Sequence, residues 1–354
     1  MTRLLFALPL LLAVNLVQAQ NGSTSLQDLQ VNTNGKFVVS SADGNSEFRI
    51  GGRLQWDYNQ AEENDQVDED GLDIRRARLY ASMAMGDWYY KAQFNIGNGN
   101  GGTPEDLYVK YSGLPGGWSA TLGRQLEPFG LNQLVSSKDI NMLERSAVAE
   151  LYSFSRSDGL LLSKAVGNST LSLGLFEDNG LFEDNSDLNG LAATGRATHA
   201  FGLGDNSLLH LGANYSSRAN NVTNSALELA WVGGPLHIQT EYARSDVAGV
   251  EFSGYYLQAG YILTGESLPY SKGVFKQVAS SSASGAWEVV VRYESGDGNY
   301  SDIELGTTDA TATGLGLNYY LNSNIRMGIS YTSGEDNTNN DSGSEWRGRF
   351  QFAF

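Results

Sequence analysis

The chain has no cysteine among its 354 residues, only six prolines and three histidines, and 23 basic side chains against 40 acidic ones. Each shortage excludes something. Without cysteine there is no disulfide framework, no thiolate metal site and no thiol nucleophile. The histidines, His199, His210 and His237, fall on separate segments without metal-ligand spacing. A net charge of −17 argues against nucleic acid or an anionic lipid headgroup as a partner. There is no Gly-x-Ser-x-Gly elbow, no phosphate loop and no dinucleotide fingerprint set between a strand and a helix. No enzyme, cofactor or metal is therefore expected. Past the first twenty residues, no apolar run reaches the roughly 20 residues that a membrane-spanning helix requires.

The chain is instead rich in glycine (42) and in tyrosine (18), phenylalanine (14) and tryptophan (6). Its first residues read as an export signal: Arg3, an apolar stretch from Leu4 to Val17 broken by Pro9 and Asn15, then small residues at Val17-Gln18-Ala19. Residues 1–19 are expected to be cleaved, and residues 20–45 to form a short periplasmic extension, with Leu26 and Leu29 as its apolar hints of contact with a neighbouring subunit. Residues 46–354 show no linker or composition shift and read as one domain.

That domain carries a period-two pattern. In the last nine residues Trp346, Phe350, Phe352 and Phe354 share one face with Gly348, while Arg347, Arg349 and Gln351 share the other. Ile325 to Tyr331, Leu315 to Leu321, Trp287 to Tyr293 and Phe48 to Tyr58 repeat it. Ten-residue segments of this kind, separated by turn residues, are the signature of an antiparallel transmembrane β-barrel. Turn signals at Met85-Gly86-Asp87, Leu114 to Gly117, Gly202 to Asn206, Gly233-Gly234-Pro235 and Asn322-Ser323-Asn324 predict short periplasmic turns alternating with longer outer loops. The acidic runs Glu62 to Asp70, Glu177-Asp178, Glu183-Asp184 and Glu335-Asp336 read as such loops. The strand count comes to about sixteen. A soluble sandwich or β-helix also alternates. It would not tolerate arginine on so many polar faces, nor would it need aromatics gathered at strand ends.

The run Phe48-Arg49-Ile50-Gly51-Gly52-Arg53-Leu54-Gln55-Trp56-Asp57 resembles the first barrel strand of the phosphate-selective porin O and P family. Ile74 to Leu79 resembles the second, and Gly123 to Leu131, Asn141 to Arg145 and Gly260 to Glu266 also fit, in order, across roughly Lys36 to Phe354. The resemblance implies an outer-membrane barrel of sixteen strands, a homotrimer, a third outer loop folded into the pore and an arginine-lined lumen that draws anions. The loop in question, Gln125 to Ser155, departs from the family's dense basic ladder. It offers only Lys138 and Arg145, among Asp139, Glu144 and Glu150.

With the apolar faces outward, Arg49, Arg53, Arg76, Arg78, Lys91, Lys110, Arg196, Arg292, Arg326, Arg347 and Arg349 point inward. If the last strand closes on the first, Arg347 and Arg349 lie beside Arg49 and Arg53. Arginine suits an anion path because its planar fork grips phosphate or carboxylate and keeps its charge. Asp57, Glu228, Glu241, Glu288 and Glu294 also fall inward and are available to neutralise part of the ladder. The expected function is passive diffusion of small anionic solutes, phosphate-like or other, through a protein set in outer-membrane lipid and lipopolysaccharide. The rivals are a weakly selective or sugar-type pore, and a structural or adhesive barrel with a closed pore. Inward Tyr80, Tyr108, Tyr256 and Tyr320 are too dispersed for a sugar slide, and no insertion long enough for a plug domain stands out.

Overall fold

The computed structural model describes residues 29–32, 37–64, 66–97, 102–178, 190–300, 306–338 and 340–354; the expected signal segment lies outside them. Two short strands come first, β1 (Leu29–Asn32) and β2 (Phe37–Ser41). The barrel then runs through β3 (Ser46–Glu63), β4 (Gln66–Met85), β5 (Trp88–Asn95), β6 (Thr103–Leu114), β7 (Trp118–Leu126), β8 (Arg156–Val166), β9 (Ser169–Glu177) and β10 (Leu191–Gly204). It continues with β11 (Ser207–Arg218), β12 (Val222–Gly233), β13 (Leu236–Val247) and β14 (Val250–Ile262). A hairpin, β15 (Tyr270–Ser271) and β16 (Val274–Phe275), interrupts it before β17 (Ala286–Tyr300), β18 (Gly306–Tyr320), β19 (Ile325–Asp336) and β20 (Asp341–Ala353).

Sixteen strands, β3 to β14 and β17 to β20, pair antiparallel with their neighbours, and β20 closes on β3. Closure leaves no barrel edge unpaired, as an apolar bilayer demands. The alternation decides which way each strand faces. Trp56, Tyr58, Phe350 and Phe352 are exposed on the outer wall, while Gln55, Asp57, Arg349 and Gln351, their sequence neighbours, are buried inside. The predicted tight turns all lie at one end, between β4 and β5, β6 and β7, β10 and β11, β12 and β13, and β18 and β19. Much of the acidic run belongs to ladder and not to loop, for Glu62 and Glu63 pair with Val67 and Gln66 in an extension of the β3–β4 hairpin.

Closure also fixes a register that alternation leaves open. Arg349 lies opposite Asp57 and Arg347 opposite Asn59, whereas Arg53 faces Ala353. The expected neighbourhood of Arg347 and Arg349 with Arg49 and Arg53 thus does not form: Arg349 lies opposite a position four residues along β3 from Arg53, and the two arginines meet a carboxylate instead.

Two insertions occupy the lumen. The third outer connection, 127–155, holds two short helices, α1 (Leu131–Leu134) and α2 (Ala147–Tyr152). Its backbone is tied to lumen-facing side chains of distant strands. The N–H of Asn132 donates to the Glu241 carboxylate at 2.9 Å, and Arg326 donates to the carbonyls of Ile140 and Asn141 at 2.5 and 2.9 Å. The second insertion, 263–285, enters from the short-turn end and carries the β15–β16 hairpin. Arg196 donates to the Gly273 carbonyl at 2.8 Å, and His210 Nδ1 shares a 2.7 Å hydrogen bond with the Tyr270 hydroxyl. The insertions meet in a dry core, where Leu131, Val135 and Ile140 pack with Leu268, Phe275 and Val278 against the walls of β12, β14 and β18. The composition-based reading misses this second insertion because it is built of ordinary loop residues.

Candidate functional site

With the dry core filling one side, partly exposed charged side chains collect on the opposite wall, β3 to β8. Arg53 on β3 and Arg78 on β4 are directly opposite residues of the ladder. Like charges so placed destabilise a strand pair, so the arrangement calls for compensation. Arg78 pairs with Glu105 at 2.5 Å, Arg156 pairs with Glu105 at 2.8 Å and with Asp106 at 2.6 Å, and Lys91 reaches Asp106 at 2.6 Å. Arg53 itself donates to the hydroxyls of Ser136 and Ser137, at 3.0 and 2.6 Å. Among the described residues no carboxylate lies within 4 Å of it. Three of these cations thus share two carboxylates while Arg53 has none, and the cluster keeps a positive excess. Lys110, lower on the same wall, also has no carboxylate partner among the described residues.

A second cluster lies above, at the level of Asp57. The Glu144 carboxylate of the inserted loop accepts from Arg75 at 3.0 and 3.1 Å, from Arg76 at 3.2 and 3.0 Å, from Arg347 at 3.3 Å and from Arg349 at 2.5 Å. Asp57 accepts from Arg347 at 2.8 Å and Arg349 at 2.5 Å. Burial pushes the Glu144 carboxyl up, but Arg76 and Arg349 outweigh it and hold the group well below the usual carboxylate range. The arginines here fasten the loop to the wall.

Two β-bulges supply charges that strict alternation would have sent outward. Gln55 pairs with Arg76 and Trp56 with Ile74, which leaves Arg75 as the extra residue. Gln93 pairs with Asp106 and Phe94 with Pro104, which leaves Glu105 extra. A bulge re-aims one side chain, and in both places the re-aimed chain is charged and joins the lumen network.

Most of the remaining predicted cations hold the architecture together. Arg196 grips Glu228 at 2.8 and 2.7 Å, and His210 binds the same carboxylate at 2.9 Å. Arg292 pairs with Glu294 at 2.6 Å and donates to the carbonyls of Glu144 and Arg145. Arg326 is fully buried beneath the loop. Arg49 pairs with Glu47, near the short-turn end, at 2.8 Å. Of the loop bases, Lys138 pairs with Asp139 at 2.6 Å, and Arg145 donates to the carbonyls of Asn132 and Val135. Sequence reasoning missed Arg75, Glu105, Asp106 and Arg156. Among the described residues no group of three or more His, Asp or Glu could hold a metal ion.

This architecture has relatives. The sequence pattern described as phosphate-selective porin O and P matches residues 48–226 and 217–354. Porin O of Pseudomonas aeruginosa is 28% identical over 416 aligned residues, which cover 94% of this chain and 94% of that protein. Among solved structures, an anion-selective porin from Comamonas acidovorans superposes with a TM-score of 0.62 at 14% identity, covering 87% of this chain and all of that one. A trimer form of the outer-membrane protein OmpT of Vibrio cholerae superposes with a TM-score of 0.58 at 13% identity, covering 87% of this chain and 99% of that one. A closed barrel of sixteen strands, a charged lumen and a family match over nearly all of residues 48–354 lead to one assignment: the chain is an outer-membrane porin of the phosphate-selective porin O and P family.

Proposed function

We propose that small oxyanions of the phosphate type cross the outer membrane through this barrel along the wall formed by β3 to β8, with Arg53, Arg78, Arg156 and Lys91 as the selecting group. One observation carries the reading: Arg53 stands opposite Arg78 and, among the described residues, has no carboxylate within 4 Å. An arginine so placed has unspent donors facing the partly hydrated side of the lumen. Glu105 and Asp106 keep the cluster from holding its guest too firmly, since conduction needs a site that releases as well as binds. Lys110 continues the path towards the periplasm. The inserted loop narrows the channel, and the Glu144 clamp holds it in place.

The phosphate-selective character of the family and the anion selectivity of the Comamonas porin support an anion preference. The trimer form of OmpT supports a homotrimer. We further infer that residues 1–19 are removed on export, that the following segment stays in the periplasm, and that the aromatic outer wall meets lipid and lipopolysaccharide. The deciding measurement is the reversal potential of the purified protein in a planar bilayer under a KCl gradient, followed by phosphate addition. A chloride-favouring potential with phosphate block of the current supports the reading. A cation-favouring potential without block refutes it, and an absence of current favours the closed-pore alternative.

A further inference from the structure

We propose that the wall just below the arginine cluster is a binding lane for small oxyanions that carry a flat ring, aryl phosphates or aryl carboxylates. Tyr80, Tyr108 and Tyr89 take the ring, and Lys91 and Lys110 take the charge. The inference rests on the anion passage proposed above and narrows its substrate class.

Alternation builds the lane. Tyr80 faces the lumen on β4, Tyr89 and Lys91 on β5, and Tyr108 and Lys110 on β6, all of them partly buried. The register sets Lys91 opposite Tyr108 and Tyr89 opposite Lys110. Lys91 is also opposite Ser82, two residues beyond Tyr80. Cations and rings therefore alternate along the wall. The Lys91 ammonium sits 5.7 Å from the centre of the Tyr80 ring, and the Tyr89 and Tyr108 rings lie 6.2 Å apart at 39°.

Gly51, directly across from Tyr80, makes the first ring possible. A Cβ at position 51 would come within 2.4 Å of the Tyr80 Cζ and hydroxyl oxygen. The glycine lets the ring lie over the backbone of β3 instead of standing across the path.

The chemistry distinguishes two kinds of guest. An aromatic face carries the negative side of its quadrupole, so a bare inorganic anion gains from these three tyrosines only through their hydroxyls. For an anion with a ring attached, the same three supply stacked and edge contacts while the lysines hold the charged end.

The test measures block of the chloride current through the purified protein in planar bilayers. Phenyl phosphate is compared with methyl phosphate, and benzoate with acetate, so that each pair differs only in the ring. The ring-bearing member is expected to block at about tenfold lower concentration. Joint Tyr89→Leu and Tyr108→Leu substitution, which keeps apolar bulk and removes the rings, should bring each pair within twofold, with inorganic phosphate still blocking through the arginine cluster above. A ring preference confined to one pair supports the lane and names the head group it takes. Equal block within both pairs, with phosphate block intact, overturns the lane alone. A cation-favouring potential without phosphate block overturns the anion passage beneath it. A ring preference that survives the double substitution overturns the placement. The wild-type comparison holds whether or not the variant folds.

Discussion

Glu144→Gln removes one negative charge from a site where four arginines and Asp57 already meet, and its effect can be worked from the geometry. In the native protein Arg75, Arg76, Arg347 and Arg349 face three carboxylates, Glu144, Asp57 and Glu345, an excess of one positive charge; the substitution raises that to two. An ion about 6 Å away in a water-like medium gains ~0.7 kcal/mol from one added charge, reduced by screening to roughly 0.4 at 0.1 M salt. That is about a twofold rise in local chloride and a matching fall in potassium, hence an approximately fourfold increase in the chloride-to-potassium permeability ratio. The amide keeps the shape and one acceptor oxygen, so the loop should stay close to its place. Loss of the ion pairs still costs stability, on the order of 3 kcal/mol for a mostly buried carboxylate, and Glu144 is 20% exposed. Reversal potential in a KCl gradient reads the first effect, and the temperature at which the folded barrel unfolds in detergent reads the second. An unchanged reversal potential would place Glu144 away from the ion path. A shift towards cations would refute the charge argument outright.

Other perturbations follow from the same contacts. Arg53→Gln should weaken phosphate block about tenfold, the worth of a charge-assisted hydrogen bond of ~1.5 kcal/mol, with single-channel conductance in KCl little changed; unaltered block removes Arg53 from the site. Glu228→Gln leaves Arg196 buried without its carboxylate and should cost about 3–5 kcal/mol, seen as a lower unfolding temperature; an unchanged temperature would mean that the pair does not anchor the hairpin. Replacing residues 267–279 with a short Gly-Ser linker should raise conductance severalfold, because the hairpin and its half of the dry core leave the lumen; unchanged conductance places the insertion outside the path. The Glu144 clamp should also survive mild acid. Its carboxyl is lowered in the folded protein, so its stabilisation is complete above the unfolded value and fades only as pH falls through the lowered one. An unfolding temperature for Glu144→Gln that stays below wild type by the same margin at pH 7.5 and pH 5 checks this; a margin that vanishes at pH 5 contradicts it.

How far the sequence reveals this pore can be judged at particular residues. The barrel is legible because its rule is local: a bilayer outside and water inside leave each strand to show its faces two residues at a time, and Phe350-Gln351-Phe352 states that rule without help. The lumen is less legible, because pointing inward is local but meeting a partner is not. Alternation assigns Arg53, Arg78, Arg347 and Arg349 to the inward face, yet it cannot say that closure sets Arg349 against Asp57 and leaves Arg53 facing Arg78. That depends on the stagger between first and last strands, a property of the whole barrel. The bulges were in principle readable. Strict alternation sends Arg75 to the lipid face, where a charge at mid-depth costs about 2–4 kcal/mol, and a β-bulge relieves that at the cost of one ladder pairing. Glu105, beside Asp106 and after Pro104, carries the same signal. At Arg75 and Glu105 a charge on the wrong parity marks a bulge and is drawn into the lumen's ion-pair network, whereas Arg124 with Asp158 and Arg244 with Glu251 keep the outward parity without a bulge and pair with each other there. Read that way, Arg75 and Glu105 would have pointed to the two clusters that organise the pore.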